Sequence, residues 1–146
     1  MYKNQITGAK SELLFEVWCL ENNLECAKPI LTSLPYDYIV VSLFGMPYAK
    51  VQVKSLFFDK NRDKHRCDFR SNGGKLNIKN NYRKGDFDFI AVCSADNRWL
   101  FFSWQDIQGT TGRTYTKQAL EDEFVSQENL RRGNGGFGSS KKDQPI

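Results

Sequence analysis

The chain contains no run of about 18 apolar residues, so no membrane-crossing helix is expected. Its N-terminus lacks the apolar core of a secretory signal, and we expect an intracellular, cytoplasmic protein. Its four cysteines, Cys19, Cys26, Cys67 and Cys93, form no CxxC, and His65 is the single histidine. That set leaves a structural zinc site short of ligands. In a reducing compartment these cysteines should be plain thiols, several of them buried. Internal repeats are absent too, so a solenoid or propeller is not indicated.

What is present suits one folded domain. The 146 residues are 40% hydrophobic and 14% aromatic, enough for a core and too few residues for two ordinary domains. We expect the domain to span 1–132 and a flexible Gly-rich tail to follow over 133–146.

The net charge of +4 is unevenly spread. Residues 1–58 carry five basic and five acidic side chains, whereas residues 59–84 carry nine Lys/Arg against three Asp. Residues 85–146 carry seven basic and nine acidic ones. A positive charge confined to one segment points to a polyanionic partner. The candidate phosphate contacts are Lys60, Arg62, Lys64, His65, Arg66, Arg70, Lys75, Lys79, Arg83 and Lys84. Among them Arg66, Arg70 and Arg83 are the candidates for reading bases, because an arginine offers guanine a planar fork.

The pattern predicts a helix over 8–23, with Thr7 as N-cap and Asn22-Asn23 as its stop. Its apolar stripe is Leu13, Leu14, Val17 and Trp18, with Phe15 beside it. A short strand over 24–29 follows, then β-prone runs Tyr36–Phe44 and Tyr48–Phe58 around a turn at Gly45-Met46-Pro47. Residues 59–84 read as a hydrophilic excursion outside the core. Strands over Phe87–Cys93 and Trp99–Trp104 come next, joined by a turn at Ala95-Asp96-Asn97. A last helix over 116–131 has Ala119, Leu120, Phe124 and Leu130 as its apolar positions. The order is α-β-β-β, basic excursion, β-β, α.

The hairpin places chemistry. With its turn centred between Phe44 and Gly45, Asp37 faces Gln52; a one-residue shift of the centre would face it with Lys54, and either arrangement keeps the three side chains on one face. A turn centred on Gly45 itself would split them. Phosphodiester hydrolysis needs charge neutralised at phosphorus and a water deprotonated near neutral pH, and a hard divalent cation with oxygen ligands serves both. Asp37 is the foremost ligand candidate, with the Gln52 amide and the Val53 carbonyl beside it. Lys54 can orient water or steady phosphoryl oxygens. Glu12, one helical turn from Glu16, can hold a metal-bound water or a second ion. Asp86 and Asp88 are weaker candidates for assisting a metal, and Trp99 and Trp104 read as core or subunit interface.

Gly8-x-x-x-Glu12, Pro35-Tyr36-Asp37 and Gln52-x-Lys54, in that order, resemble the PD-(D/E)XK nuclease superfamily. Within it the pattern is most similar to the small group I intron-encoded homing endonucleases of bacteria and phages; archaeal Holliday junction resolvases share the order. The resemblance covers roughly residues 6–58, and Tyr82 to Trp104 more loosely. It implies an α/β restriction-endonuclease-like core with a mixed sheet, and catalytic roles for Glu12, Asp37, Gln52 and Lys54. It further implies Mg2+-dependent cleavage of double-stranded DNA (one or two ions, with Mn2+ able to substitute) by a homo-oligomer, dimer or tetramer. Two departures are visible: Tyr36 separates Pro35 from Asp37, and Gln52 stands where an acid is usual, which should weaken metal affinity. A junction resolvase and a non-cleaving DNA-binding module are the rival expectations.

Overall fold

A computed structural model of the chain describes residues 2–71 and 80–133. Helix α1 (Tyr2–Glu21) leads to strands β1 (Cys26–Ala27), β2 (Tyr38–Leu43) and β3 (Met46–Ser55). The basic segment contributes β4 (Phe57–Asp59), β5 (Lys64–Asp68), β6 (Arg70–Ser71) and β7 (Asn80–Asn81). The chain then forms β8 (Phe89–Cys93), β9 (Trp99–Ser103), the short helix α2 (Trp104–Ile107), β10 (Gly112–Tyr115) and helix α3 (Lys117–Gly133).

Five strands make the central sheet in the order β1-β2-β3-β8-β9, with β3 and β8 parallel and the other neighbours antiparallel. Strand alternation then sorts side chains onto two faces. Val40, Ala49, Val51, Val53, Ala91 and Phe101 meet Phe15 and Cys19 of α1 on one face. Ile90, Val92, Leu100 and Phe102 point the other way, onto Leu120 and Phe124 of α3 and onto Phe69 and Cys67.

The β2–β3 loop is Phe44-Gly45, with φ of 50° and 85°, and Leu43 pairs with Met46. Two central residues in the left-handed region match the right-handed twist of a tight hairpin, and glycine takes the second without strain. Met46 and Pro47 therefore belong to β3, which corrects the expected turn at Gly45-Met46-Pro47. At the end of α1, Asn23 has φ 56°, and the Leu24 N–H donates to the Cys19 carbonyl at 2.8 Å. That left-handed closure is the expected helix stop.

Several expectations are corrected. Helix α1 begins at Tyr2 and not at residue 8, so Thr7 is no N-cap; its hydroxyl donates to the Lys3 carbonyl, 2.9 Å away, inside the helix. Phe15 and Cys19 are the residues wholly buried from α1, while Leu13 and Val17 are exposed. The basic segment is not outside the core: Cys67 and Phe69 are buried, and β5 is the middle of a three-stranded sheet, β10-β5-β4. In α3, Ala119 and Leu130 are exposed, and Gln127 is buried in their place. All four cysteines are free thiols, Cys26 half-buried and the others buried.

Candidate active site

The β2–β3 pairing is Tyr38 with Val51, Ile39 with Lys50 and Val40 with Ala49, and Asp37 lies one residue before the first paired residue of β2. Two hydrogen bonds hold Asp37 against β3. The Asp37 N–H donates to the Val51 carbonyl, and Asp37 Oδ2 accepts from the Val53 N–H, each at 2.8 Å. Because Ala49, Val51 and Val53 face α1, Gln52 and Lys54 project together from the opposite side of β3.

Glu12 reaches the same place from α1. A cavity of about 540 Å3 is lined by Gly8, Ser11 and Glu12 of the helix, by Gln52, Val53, Lys54 and Ser55 of β3, and by Phe57, Asp68 and Arg70. Asp37 is one residue removed from that lining, through Val53. The helix is tied to the strand by a 2.7 Å hydrogen bond between the Ser11 and Ser55 hydroxyls. Glu12 and Glu16, one turn apart on the same side of α1, take different partners. Glu16 accepts from the buried Tyr38 hydroxyl at 2.6 Å, and Glu12 pairs with Lys28 Nζ at 3.3 Å.

Burial pushes the Asp37 carboxyl from its ordinary 3.8 up to about 6, and the nearby Glu12 charge adds to the rise. The Val53 N–H and the Lys54 and Lys28 ammonium groups act against it and lose. Lys54 Nζ donates to the Arg70 carbonyl at 2.8 Å and lies 5.2 Å from the centre of the Tyr82 ring. It is a held ammonium, not a wandering surface lysine.

The proposed phosphate contacts among the described residues fall on four places, one of them Arg70 on β6. Lys60 and Arg62 sit in the β4–β5 turn, where Arg62 Nε lies 3.7 Å from Asp59. Lys64, His65 and Arg66 lie on β5, and Arg83 and Lys84 in the turn before β8. Lys75 and Lys79 are outside the described residues, as is the tail beyond Gly133. Lys64 and Arg66 share a strand face with Asp68, which lines the cavity, so that face carries positive charge outward from it. His65 takes the other face and packs on Phe58. Arg66 Nη1 donates to the Thr114 hydroxyl at 3.0 Å.

Asp86 and Asp88 turn out to be structural: Asp86 accepts from the Arg83 N–H at 2.7 Å, and Asp88 from the Lys50 N–H at 2.8 Å. Trp99 is core, and Trp104 is half-buried against Phe87. Sequence reasoning passed over Ser11, Phe57, Asp68 and Tyr82. Asp68 alone carried a signal, as an acid isolated among basic residues beside a buried phenylalanine.

No family model matches the sequence, and no curated protein matches it. The fold of the chain, however, is similar to the solved structure of a bacterial homing endonuclease, I-Ssp6803I. The TM-score is 0.66 at 18% sequence identity, covering 97% of this chain and 96% of that one. The two share a fold. The likeness spans both the central sheet and the small sheet of the basic segment, because it leaves almost nothing of either chain out.

A divalent metal is implied by the superfamily pattern, and the donors can be tested against it. Among the described residues no group of three or more His, Cys, Asp or Glu side chains converges. A cation would rest on mixed oxygens: the Asp37 carboxylate, the Gln52 amide, the Val53 carbonyl and, across the cavity, Glu12. Gln52 Nε2 stands 3.4 Å from the Val53 oxygen, so turning the amide over would set two oxygens side by side. The half-buried carboxylate of Asp37, raised in pKa by burial and by the nearby Glu12 charge, is the feature a cation would satisfy. The donors fit a hard cation, with few protein charges to hold it.

Proposed function

We propose that the protein is a metal-dependent DNA endonuclease of the PD-(D/E)XK type, cutting both strands at a specific site. The observation that carries the reading is the hairpin register. It brings Asp37 onto Val53 of β3, with Gln52 and Lys54 on one face of that strand, beside a cavity that Glu12 enters from α1. The shared fold with a homing endonuclease supports the same conclusion.

The reaction is addition of water to phosphorus. A water oxygen bonds to phosphorus, one ester P–O bond breaks, and the departing oxygen takes up a proton. A bound Mg2+ would neutralise charge on the crowded phosphorus and acidify the attacking water. Asp37, Gln52 and the Val53 carbonyl would hold it, and Glu12 would hold a water in its shell. Lys54, fixed between a carbonyl and a ring, presents its ammonium to a phosphoryl oxygen or to the attacking water. Lys64, Arg66 and the Lys60–Arg62 turn hold the duplex backbone alongside.

Cutting two strands takes two such sites, which calls for at least a dimer. Ile6, Leu13, Val17 and Leu20 recur along one exposed side of α1 and offer apolar surface for association.

The deciding experiment incubates the protein with supercoiled plasmid carrying randomised inserts, with Mg2+, with Mn2+ and with chelator. Linear product requiring the metal and abolished by Asp37→Asn and Lys54→Ala supports the assignment. Cleavage that survives either substitution removes that residue from the chemistry. Salt-sensitive binding without cleavage under any metal would favour a DNA-binding module, which the scarcity of converging carboxylates makes the specific rival. Preference for four-way junctions of any sequence would favour a resolvase.

A further inference from the structure

Arg70 is a candidate for reading bases on sequence grounds, and the structure gives it other neighbours. Its guanidinium lines the cavity shared by Glu12, Gln52 and Lys54. Asp68 grips it on one edge: Arg70 Nε donates to Asp68 Oδ1 at 3.1 Å and Nη2 to Oδ2 at 2.9 Å. The Arg70 N–H also donates to Oδ1, at 2.9 Å, so backbone and side chain are fixed by one carboxylate. The fork that would meet a guanine edge is therefore already occupied. Nη1 points away from the carboxylate, and the side chain remains about a third exposed at 32%. The same residue's carbonyl holds Lys54 Nζ, and its strand partner Asn81 precedes Tyr82, whose ring backs that ammonium.

On the reading that this site hydrolyses phosphodiesters, we propose that Arg70 is a catalytic residue, its guanidinium binding the non-bridging oxygens of the scissile phosphate while its carbonyl positions Lys54. Charge grows on those oxygens as water adds to phosphorus. A donor fixed beforehand stabilises them without having to reorganise. Asp68 supplies that fixation and is a positioning residue. The β6–β7 ribbon thus belongs to the reaction centre as well as to the basic surface.

The test compares the wild type with Arg70→Ala, Arg70→Lys and Asp68→Asn, after thermal melts establish folding. Single-turnover cleavage is read in Mg2+, and DNA affinity with Ca2+ in its place. Arg70→Ala should lower the cleavage rate by about 100-fold, the scale seen on removing one preorganised transition-state donor, with affinity changed by less than about threefold. Added guanidinium ion should restore part of the rate to Arg70→Ala and none to Lys54→Ala. Arg70→Lys, which keeps charge and loses the fork, carries the test if the alanine variant does not fold, and should remain at least tenfold slow by roughly the same donor argument. An Arg70→Ala rate within threefold of wild type overturns the proposal. So does a loss wholly explained by affinity and untouched by guanidinium. A wild type that cuts nothing overturns the endonuclease reading itself, an outcome distinct from a competent enzyme indifferent to Arg70.

Discussion

Replacing Asp37 by asparagine should make the protein more stable while abolishing its activity. The argument rests on a carboxyl that burial lifts from 3.8 to about 6. Between those values the native state holds a proton that the unfolded chain has released. Stability therefore falls as pH rises through that window, and the full penalty is present above pH 6. The difference corresponds to about 3 kcal/mol of stability withheld by the ionised group near neutral pH. Asparagine removes the charge, nearly preserves the shape, and keeps an oxygen to accept from the Val53 N–H. Asp37→Asn should thus melt roughly 10 °C higher than wild type at about pH 8 in chelator, taking ~4 °C per kcal/mol for a domain of this size. Near pH 4 the gap should shrink to roughly 0.5 kcal/mol, because wild-type Asp37 is then protonated in the native state. Mg2+ should raise the wild-type melting temperature and leave the variant's unchanged, since ligand stabilisation requires a native-state site. Thermal melts across that pH range check all three. A pH-independent gap, or a variant less stable than wild type at pH 8, would refute the claim that Asp37 is an uncompensated buried charge.

Other consequences can be measured as readily. Cleavage efficiency in Mg2+ should fall as pH drops through about 6 or below, following protonation of Asp37 in the substrate-free enzyme, and a profile flat down to pH 5 would disconnect it from the reaction. Gly8→Ala should stabilise α1 by about 0.5–1 kcal/mol, because a methyl there meets nothing within 4 Å; a lower melting temperature would contradict that. Phe15→Ala should cost about 3–5 kcal/mol in denaturant unfolding, since its fully buried ring packs on Trp18, Tyr38 and Trp99. Lys64→Ala should flatten the dependence of log affinity on log salt by about 1, whatever the DNA sequence, and an unchanged slope would take Lys64 off the backbone.

The hairpin was legible because polar Lys50, Gln52 and Lys54 alternate with apolar Ala49, Val51 and Val53 beyond a glycine, although its turn lies at Phe44-Gly45 and not at Gly45-Met46-Pro47. The buried side of α1 was not legible. Leu13, Val17 and Leu20 are as apolar as Phe15 and Leu14, so composition cannot say which side meets the sheet. Strand β10 was missed for a different reason: it pairs with β5 across more than 40 residues of chain, and Gly112-Arg113-Thr114-Tyr115 has no apolar alternation to announce it. Periodicity also misplaced Gln127. Its amide donates to the Phe101 carbonyl and accepts from the Phe101 N–H, at 3.1 and 2.8 Å, along the edge strand β9. A buried glutamine there covers an exposed sheet edge, a task that hydrophobicity patterns cannot report.

The place of the candidate site follows from how the two faces of the sheet are covered. Below the sheet, α1 needs an apolar surface, and Val40, Val51, Val53, Ala91 and Phe101 supply it continuously. Above it, the apolar surface is interrupted: β8 and β9 offer Ile90, Val92, Leu100 and Phe102 to α3, but β3 offers Lys50, Gln52 and Lys54. Covering β3 on that side with apolar side chains would strand three polar groups without water. The basic segment meets the requirement with polar ones, the Arg70 carbonyl for Lys54 and the Gly85 carbonyl for Lys50. A cleft remains between that segment and the N-terminal half of α1, and Asp37 sits behind its wall on the Val53 N–H, its carboxyl only partly offset by Lys54 and Lys28. The same alternation that builds the core on β8 and β9 therefore opens the cleft on β3, and the cation and phosphate of the proposed reaction would fill a gap that folding alone does not close.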